Sequence, residues 1–114
     1  MRDSILLKKS KEFALRIIKL YKYLYETKRE HILSKQLLRC GTSIGANVKE
    51  TVYAQSKADF TAKLFIAQKE CAESEYWLEL LFESGYYDKK EILALCIEVK
   101  RLLISSLNTA KNNK

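Results

Sequence analysis

A chain of 114 residues supports one domain with a real core and is too short for two. Hydrophobic residues make up 47%, which excludes a disordered tail, and the absence of proline with only three glycines disfavours sandwiches and barrels. The net charge of +7 is uneven: residues 1–57 carry 13 Lys/Arg against 5 Asp/Glu, and residues 58–114 carry 8 against 9. The basic excess therefore belongs to the first half, which suggests a polyanionic partner or an electrostatically matched neighbour subunit.

No apolar run approaches the length of a membrane span. The run Ile5-Leu6-Leu7 is too short for a signal-peptide core, so a cytoplasmic location is expected, with no membrane partner. Cys40, Cys71 and Cys96 are isolated and odd in number, lack metal-ligand spacing and fall on apolar helix stripes. They read as reduced core cysteines.

The periodicity predicts four helices in a single domain over 1–114. Residues 1–9 read as an N-terminal arm or frayed turn. From about Ser10, Phe13, Ile17, Leu20, Tyr21 and Leu24 recur at three- and four-residue steps as one core stripe. Lys8, Lys11, Lys19 and Lys22 share the opposite side with Leu15, and the helix is expected to end near Lys28. Ser34 is the expected N-cap of a second helix running to about Ala54. Ser56 with Asp59 three residues later approximates a capping box and opens the third. There Phe60, Leu64, Ala67, Cys71, Ser74, Leu78 and Leu81 form a heptad seam, and Gly85 supplies a residue able to take positive φ after the helix. Asp88 and Glu91 introduce the fourth, with Ile92, Leu95, Val99, Leu102, Ser106 and Ala110 at heptad spacing and a frayed end at 112–114. Short connections make such helices antiparallel neighbours, so the expected fold is all-α, an up-down-up-down four-helix bundle.

The second helix is unusual between Leu37 and Thr51. Leu37, Cys40, Ile44, Val48 and Thr51 form its apolar stripe, with the polar stripe Arg39, Ser43, Asn47 and Glu50 beside it. Gly41 and Gly45 sit on the other flank, one turn apart. Small, uncharged residues continue nearly all the way round, with Lys49 the main exception, so the helix is expected to pack on more than one side, against its own bundle and against a second copy of the chain. Glycine inside a helix costs about 1 kcal/mol relative to alanine, which close approach of another backbone would offset. Arg39 and Glu50 lie about 16 Å apart along the axis and cannot pair within the helix. Each needs a partner on another helix or another subunit. The stripe reads either as a network fixing bundle register or oligomer geometry, or as a ligand contact; the first is favoured because it borders the core.

Arg39-x-x-x-Ser43-Ile44-x-x-Asn47-Val48-x-Glu50, followed by Phe60-x-x-x-Leu64-x-Ile66-Ala67, Glu75 and Gly85-Tyr86, resembles the signature of bacterial four-helix-bundle proteins encoded in intervening sequences of 23S ribosomal RNA genes. The resemblance covers roughly residues 10–110. It implies a ring-like homopentamer without an established catalytic site. The accessory variability protein of diversity-generating retroelements is a more distant likeness, a basic pentamer that works with nucleic acid and a reverse transcriptase. Two positions depart from the pattern: Thr51 stands where glycine or alanine is common, and Gly45 where proline is frequent.

No catalytic residue is assigned. His31 is the single histidine and falls in a connection, so the Glu-x-x-His pairs of a bundle di-metal site cannot be assembled. No glycine-rich phosphate loop is present, and neither cofactor nor metal is expected. The leading expectation is a non-enzymatic homo-oligomer binding RNA or DNA through Lys8, Lys11, Lys19 and Lys22, with a pentamer carrying a total charge near +35. Tyr23 and Tyr25 are candidate stacking surfaces for single strands. Arg39, Gly41, Ser43, Gly45, Asn47 and Glu50 are the candidate register or oligomer contacts. The alternative is a protein-interaction or assembly module without nucleic acid.

Overall fold

The computed structural model describes residues 2–112, with side chains from Ile5 onward. Its elements are α1 (Arg2–Glu26), α2 (Leu33–Glu50), a 3₁₀ turn (Thr51–Tyr53), α3 (Lys57–Glu83) and α4 (Glu91–Asn112). Each helix packs on two neighbours, α1 on α2 and α4, and α3 on the same two, so α1 and α3 lie diagonally opposite. The bundle measures 48 × 21 × 19 Å. Among the described residues there is no strand, and no helix is long and apolar enough to cross a membrane.

The first helix starts earlier than its sequence suggests. Leu6 and Ser10 continue the seam of Phe13, Ile17, Leu20 and Leu24 backwards, and Leu6 is only 1% exposed. An arm or frayed turn over 1–9 is therefore corrected to helix from Arg2, because burial of Leu6 against the other helices holds that turn in register. Met1 lies outside the described residues, as do Asn113 and Lys114 of the expected frayed end, where Asn112 is still helical.

The α1–α2 connection is built differently from the expected Ser34 cap. Ser34 is buried inside the first turn of α2, and its hydroxyl donates to the Glu30 carbonyl oxygen at 2.7 Å. The cap is Glu30: its carboxylate accepts from the backbone N–H groups of Ile32 (3.2 Å), Leu33 (2.9 Å) and Ser34 (2.7 Å). These are free donors of a helix start, where the macrodipole also favours negative charge. Burial alone would raise the Glu30 pKa, but the Leu33, Ser34 and Ile32 N–H groups and the Ser34 hydroxyl together hold it below the usual carboxylate value. The chain enters this turn through Arg29, whose φ of 57° is a left-handed conformation that costs a non-glycine residue about 1 kcal/mol.

The other boundaries follow their local chemistry. Helix α2 ends at Glu50 and tightens into the 3₁₀ turn before Ala54 becomes extended, so it stops short of the expected Ala54. Ser56 caps α3 by accepting from the Asp59 N–H at 3.1 Å, while the Asp59 carboxylate accepts from Gln55 N–H at 3.1 Å. At the far end Gly85 takes φ 84°, Tyr86 N–H donates to Leu81 O and Gly85 N–H to Phe82 O, which is a Schellman closure. Along α3, Leu64, Ala67, Cys71, Ser74, Leu78 and Leu81 are buried and Phe60 is half-buried. In α4, Cys96, Leu103 and Leu107 join Ile92, Leu95, Val99 and Ser106 in the buried set, while Leu102 and Ala110 are only half-buried.

Both glycines of α2 face α1 of the same chain. A Cβ on Gly41 would lie 2.8 Å from Ile17 Cγ1 and 3.0 Å from its Cγ2, whereas one on Gly45 would meet Ser10 O at an ordinary 3.4 Å. Ile17 is fully buried and cannot withdraw. Gly41→Ala is therefore expected to lose about 1–2 kcal/mol to overpacking. Gly45→Ala should gain up to about 1 kcal/mol from helix propensity. Urea unfolding of the two variants checks the opposite signs.

Glu30 gives a second expectation. Its depressed pKa means that its stabilisation is complete above the ordinary carboxylate pKa and is lost as pH falls through the lower folded value. Glu30→Gln should cost about 1–2 kcal/mol at pH 7. The difference from the parent should shrink as both are acidified below about pH 4, which unfolding curves across pH would show.

Candidate nucleic-acid interface

Lys8, Lys11, Lys19 and Lys22 are all exposed on α1. At 100° per residue they fall within an arc of about 80°, opposite the Leu6–Leu24 core stripe, and span about 21 Å of the axis. Leu15, 59% exposed, and Ile18 lie among them. Among the described residues no carboxylate forms an ion pair with any of the four. Other cations of α1 are engaged: Lys9 pairs with Glu98 at 3.4 Å, and Arg16 lies 3.8 Å from Glu12.

Two grooves flank this face. One, of about 490 Å³, runs between α1 and α2, with Lys8 and Lys11 on one rim and Lys49 on the other, and Ala14, Gly45 and Ala46 in its lining. Its small-residue lining follows from the close approach that Gly45 permits. The second, of about 660 Å³, runs between α1 and the start of α4 and takes Lys19, Arg16 and Tyr23 from α1 with Tyr87 and Lys89 from the α3–α4 connection. Lys22 lines neither. Lys49, Arg16 and Lys89 were not among the sequence candidates: their positions become informative only when a second helix or connection is laid beside α1.

The tyrosines separate. Tyr25 packs against Tyr21 at 5.5 Å, His31 at 4.1 Å and the Lys35 ammonium at 5.8 Å from its ring, and is still 37% exposed. Tyr23 is 39% exposed and opens on the second groove, 5.9 Å from Tyr87.

The polar stripe of α2 runs along its seam with α3. Arg39 reaches Glu70 at 3.3 Å and forms a close ion pair with Glu73. Glu73 also accepts from Trp77 Nε1 at 2.9 Å, and these two contacts, Trp77 first, hold its carboxyl below the usual value. Asn47 stays within its helix and donates to the Ser43 carbonyl and hydroxyl oxygens at 2.9 and 3.1 Å. Glu50 meets Lys63 at 2.9 Å. Arg39 and Glu50 thus each find a partner on α3, at two points along one antiparallel seam.

Reactive groups do not converge. Cys40, Cys71 and Cys96 are free and buried. Burial pushes the Cys40 thiol up to about 11, and Ser74 donates to its sulfur at 3.2 Å. Cys71 and Cys96 face each other at 3.9 Å between α3 and α4, and that contact together with burial raises Cys96. His31 is exposed, with Nε2 at 3.1 Å from the Tyr25 carbonyl oxygen. Among the described residues no cluster of His, Cys, Asp or Glu could hold a metal ion.

Comparison with known proteins places this architecture. The family model for the 23S rRNA-intervening sequence protein matches residues 2–105. The chain belongs to that family. A crystal structure of a protein of unknown function from the S23 ribosomal protein family of Bacteroides thetaiotaomicron is 49% identical to it, with a TM-score of 0.92 over 95% of this chain and 99% of that one. No curated protein matches. The family match spans α1 and both grooves beside it, as well as the seam of α2 with α3.

Proposed function

We propose that this family member is a non-enzymatic, cytoplasmic homo-oligomer, a ring-like pentamer, that binds RNA or DNA through the outward face of α1. The observation that carries the reading is the set of four exposed lysines, Lys8, Lys11, Lys19 and Lys22, which have no carboxylate partner among the described residues and lie opposite the core stripe of a helix. Lys49 extends the set across the α1–α2 groove. Such a surface attracts phosphates from any sequence, and its affinity falls with salt as counterions are released. Repetition around a ring multiplies the field.

Support for assembly comes from the diagonal helix. On α3, Ala62, Phe65, Ile66, Ala72 and Tyr76 are exposed, so this helix is apolar on its outer side as well as its core side. A helix apolar on both sides is suited to burial on both. The same feature favours the second reading, an assembly module whose basic face meets an acidic protein and no nucleic acid.

If the four lysines each meet a phosphate, the slope of log affinity against log salt for a single strand should be about −3. Lys11→Glu with Lys19→Glu should lower affinity at least tenfold and flatten that slope by about 1–2 while leaving helicity intact. Absence of any RNA or DNA shift at low salt would leave the assembly reading in its place. Light scattering on a sizing column should give about five times the 13.3 kDa chain mass, and Tyr76→Glu should reduce it. A monomer at micromolar concentration would overturn the oligomer.

A further inference from the structure

The groove between α1 and the start of α4 differs from the rest of the basic face in carrying aromatic rings. Tyr87 lies between Phe82, nearly parallel at 17° and 6.0 Å, and Tyr23, tilted at 56° and 5.9 Å. Phe82 thus backs Tyr87 from the core side, while Tyr23 is open to solvent. Leu20 and Ile92 contribute a buried apolar base to the same groove. Three cations surround the rings: Lys19 and Arg16 from α1, and Lys89 from the connection. Asp88 and Glu91 stand on the same wall and Arg16 also lies 3.8 Å from Glu12, so this groove is mixed in charge, unlike the uninterrupted positive rim of the α1–α2 groove.

This combination suits one ligand chemistry. A π-face is needed for a planar base, cations for the phosphates on either side of it, and carboxylates for its exocyclic amines. A paired base inside a duplex cannot reach such a wall, because both its faces are stacked and its edge is occupied. We propose that this groove holds an unpaired base of a single-stranded nucleic acid on Tyr23 and Tyr87, with Lys19, Arg16 and Lys89 meeting the neighbouring phosphates. The assignment rests on the nucleic-acid reading of α1 and adds to it a preference for single strands. Asp88 and Glu91 give a further preference, for cytosine, adenine or guanine, which carry an amino group, over uracil or thymine, which do not.

The experiment is fluorescence anisotropy at low salt with a labelled single strand of cytidines, the same length of uridines, and a hairpin duplex, all titrated with the intact protein. The parent should bind the cytidine strand more tightly than the hairpin. Tyr23→Leu, which keeps an apolar contact and removes the ring, should weaken the single strand about tenfold and leave the hairpin nearly unchanged. Tyr87→Leu should act in the same direction, and the more exposed Tyr23 keeps the test decisive if loss of Tyr87 disturbs the fold. Tyr53→Leu, on the 3₁₀ turn and 74% exposed, is the control and should change neither affinity. Undiminished single-strand binding by Tyr23→Leu, or an equal loss on both ligands, overturns the stacking site while leaving the lysine face standing. A parent protein that binds none of the three removes both readings together. Equal affinity for cytidine and uridine strands overturns the role given to Asp88 and Glu91. Cytidine monophosphate alone, competing at the concentration at which the strand binds, would assign the groove to a free nucleotide and overturn the strand.

Discussion

At Gly41 there is no room for a methyl group, because the Ile17 side chain already occupies the place a Cβ would take. This close approach of α2 to α1 shapes much of what lies around it. It places the Phe13–Ile17 part of the α1 seam in the core and leaves the opposite side of α1 to expose charge. Four lysines stand there. One turn along α2, Gly45 sits over the Ser10 backbone without crowding it, and the space beside it becomes the α1–α2 groove with Lys8, Lys11 and Lys49 at its edges. The candidate interface is thus a consequence of how two helices fit, with the glycines acting on packing and the lysines on whatever approaches.

The opposite seam of α2 is fixed by different means. Between α2 and α3, Arg39 with Glu70 and Glu73, and Glu50 with Lys63, tie two points of one antiparallel pair. These side chains are partly exposed, so each pair contributes little stability by itself. Their value lies in geometry: a slide of one helical turn would separate both pairs at once. Cys40 and Ser74, buried between them with the hydroxyl donating to sulfur, mark where the seam becomes core. The two ends of the polar stripe therefore join α2 to α3, while the glycines join α2 to α1.

Much of this was legible in the sequence because heptad spacing is a strong signal and little in the chain competes with it. The seam of α3 and the core stripe of α2 could be read directly from Leu64–Leu81 and Leu37–Val48. Ser56 and Gly85 announced their helix ends because each uses the residue type its backbone geometry favours. Where the signal was mixed, the reading failed. Residues 1–9 read as an arm or frayed turn, and the burial of Leu6 by other helices reveals about two more turns of α1 there. Glu30 carries no cap signature, since it lies three residues before the first residue of α2 and acts because Arg29 turns the chain back through a left-handed conformation. Tyr87 could not be joined to Tyr23 from spacing alone: they are far apart in sequence and meet only across the α1–α4 seam.

The placement of charge on the bundle bears on how assembly and binding could coexist. Since α1 and α3 are diagonal, the lysine face and the exposed apolar face of α3 point away from each other. A face used to join copies then does not cover the face proposed to meet nucleic acid. A closed five-membered ring needs a heterologous interface, in which each copy offers two different patches. The outer side of α3, with Phe65, Ile66 and Tyr76, can serve as one. Ile104 on α4 supplies exposed apolar surface for the other. A ring joined through these surfaces would keep every α1 accessible, and its copies would present their lysines at five repeated positions. Burying apolar surface beside the lysines of α1 would mean desolvating the cations too, which is costly without partners for the ammonium groups. Separating the two faces across the bundle diagonal avoids that conflict, and the diagonal is the largest separation between helices that the cross-section allows.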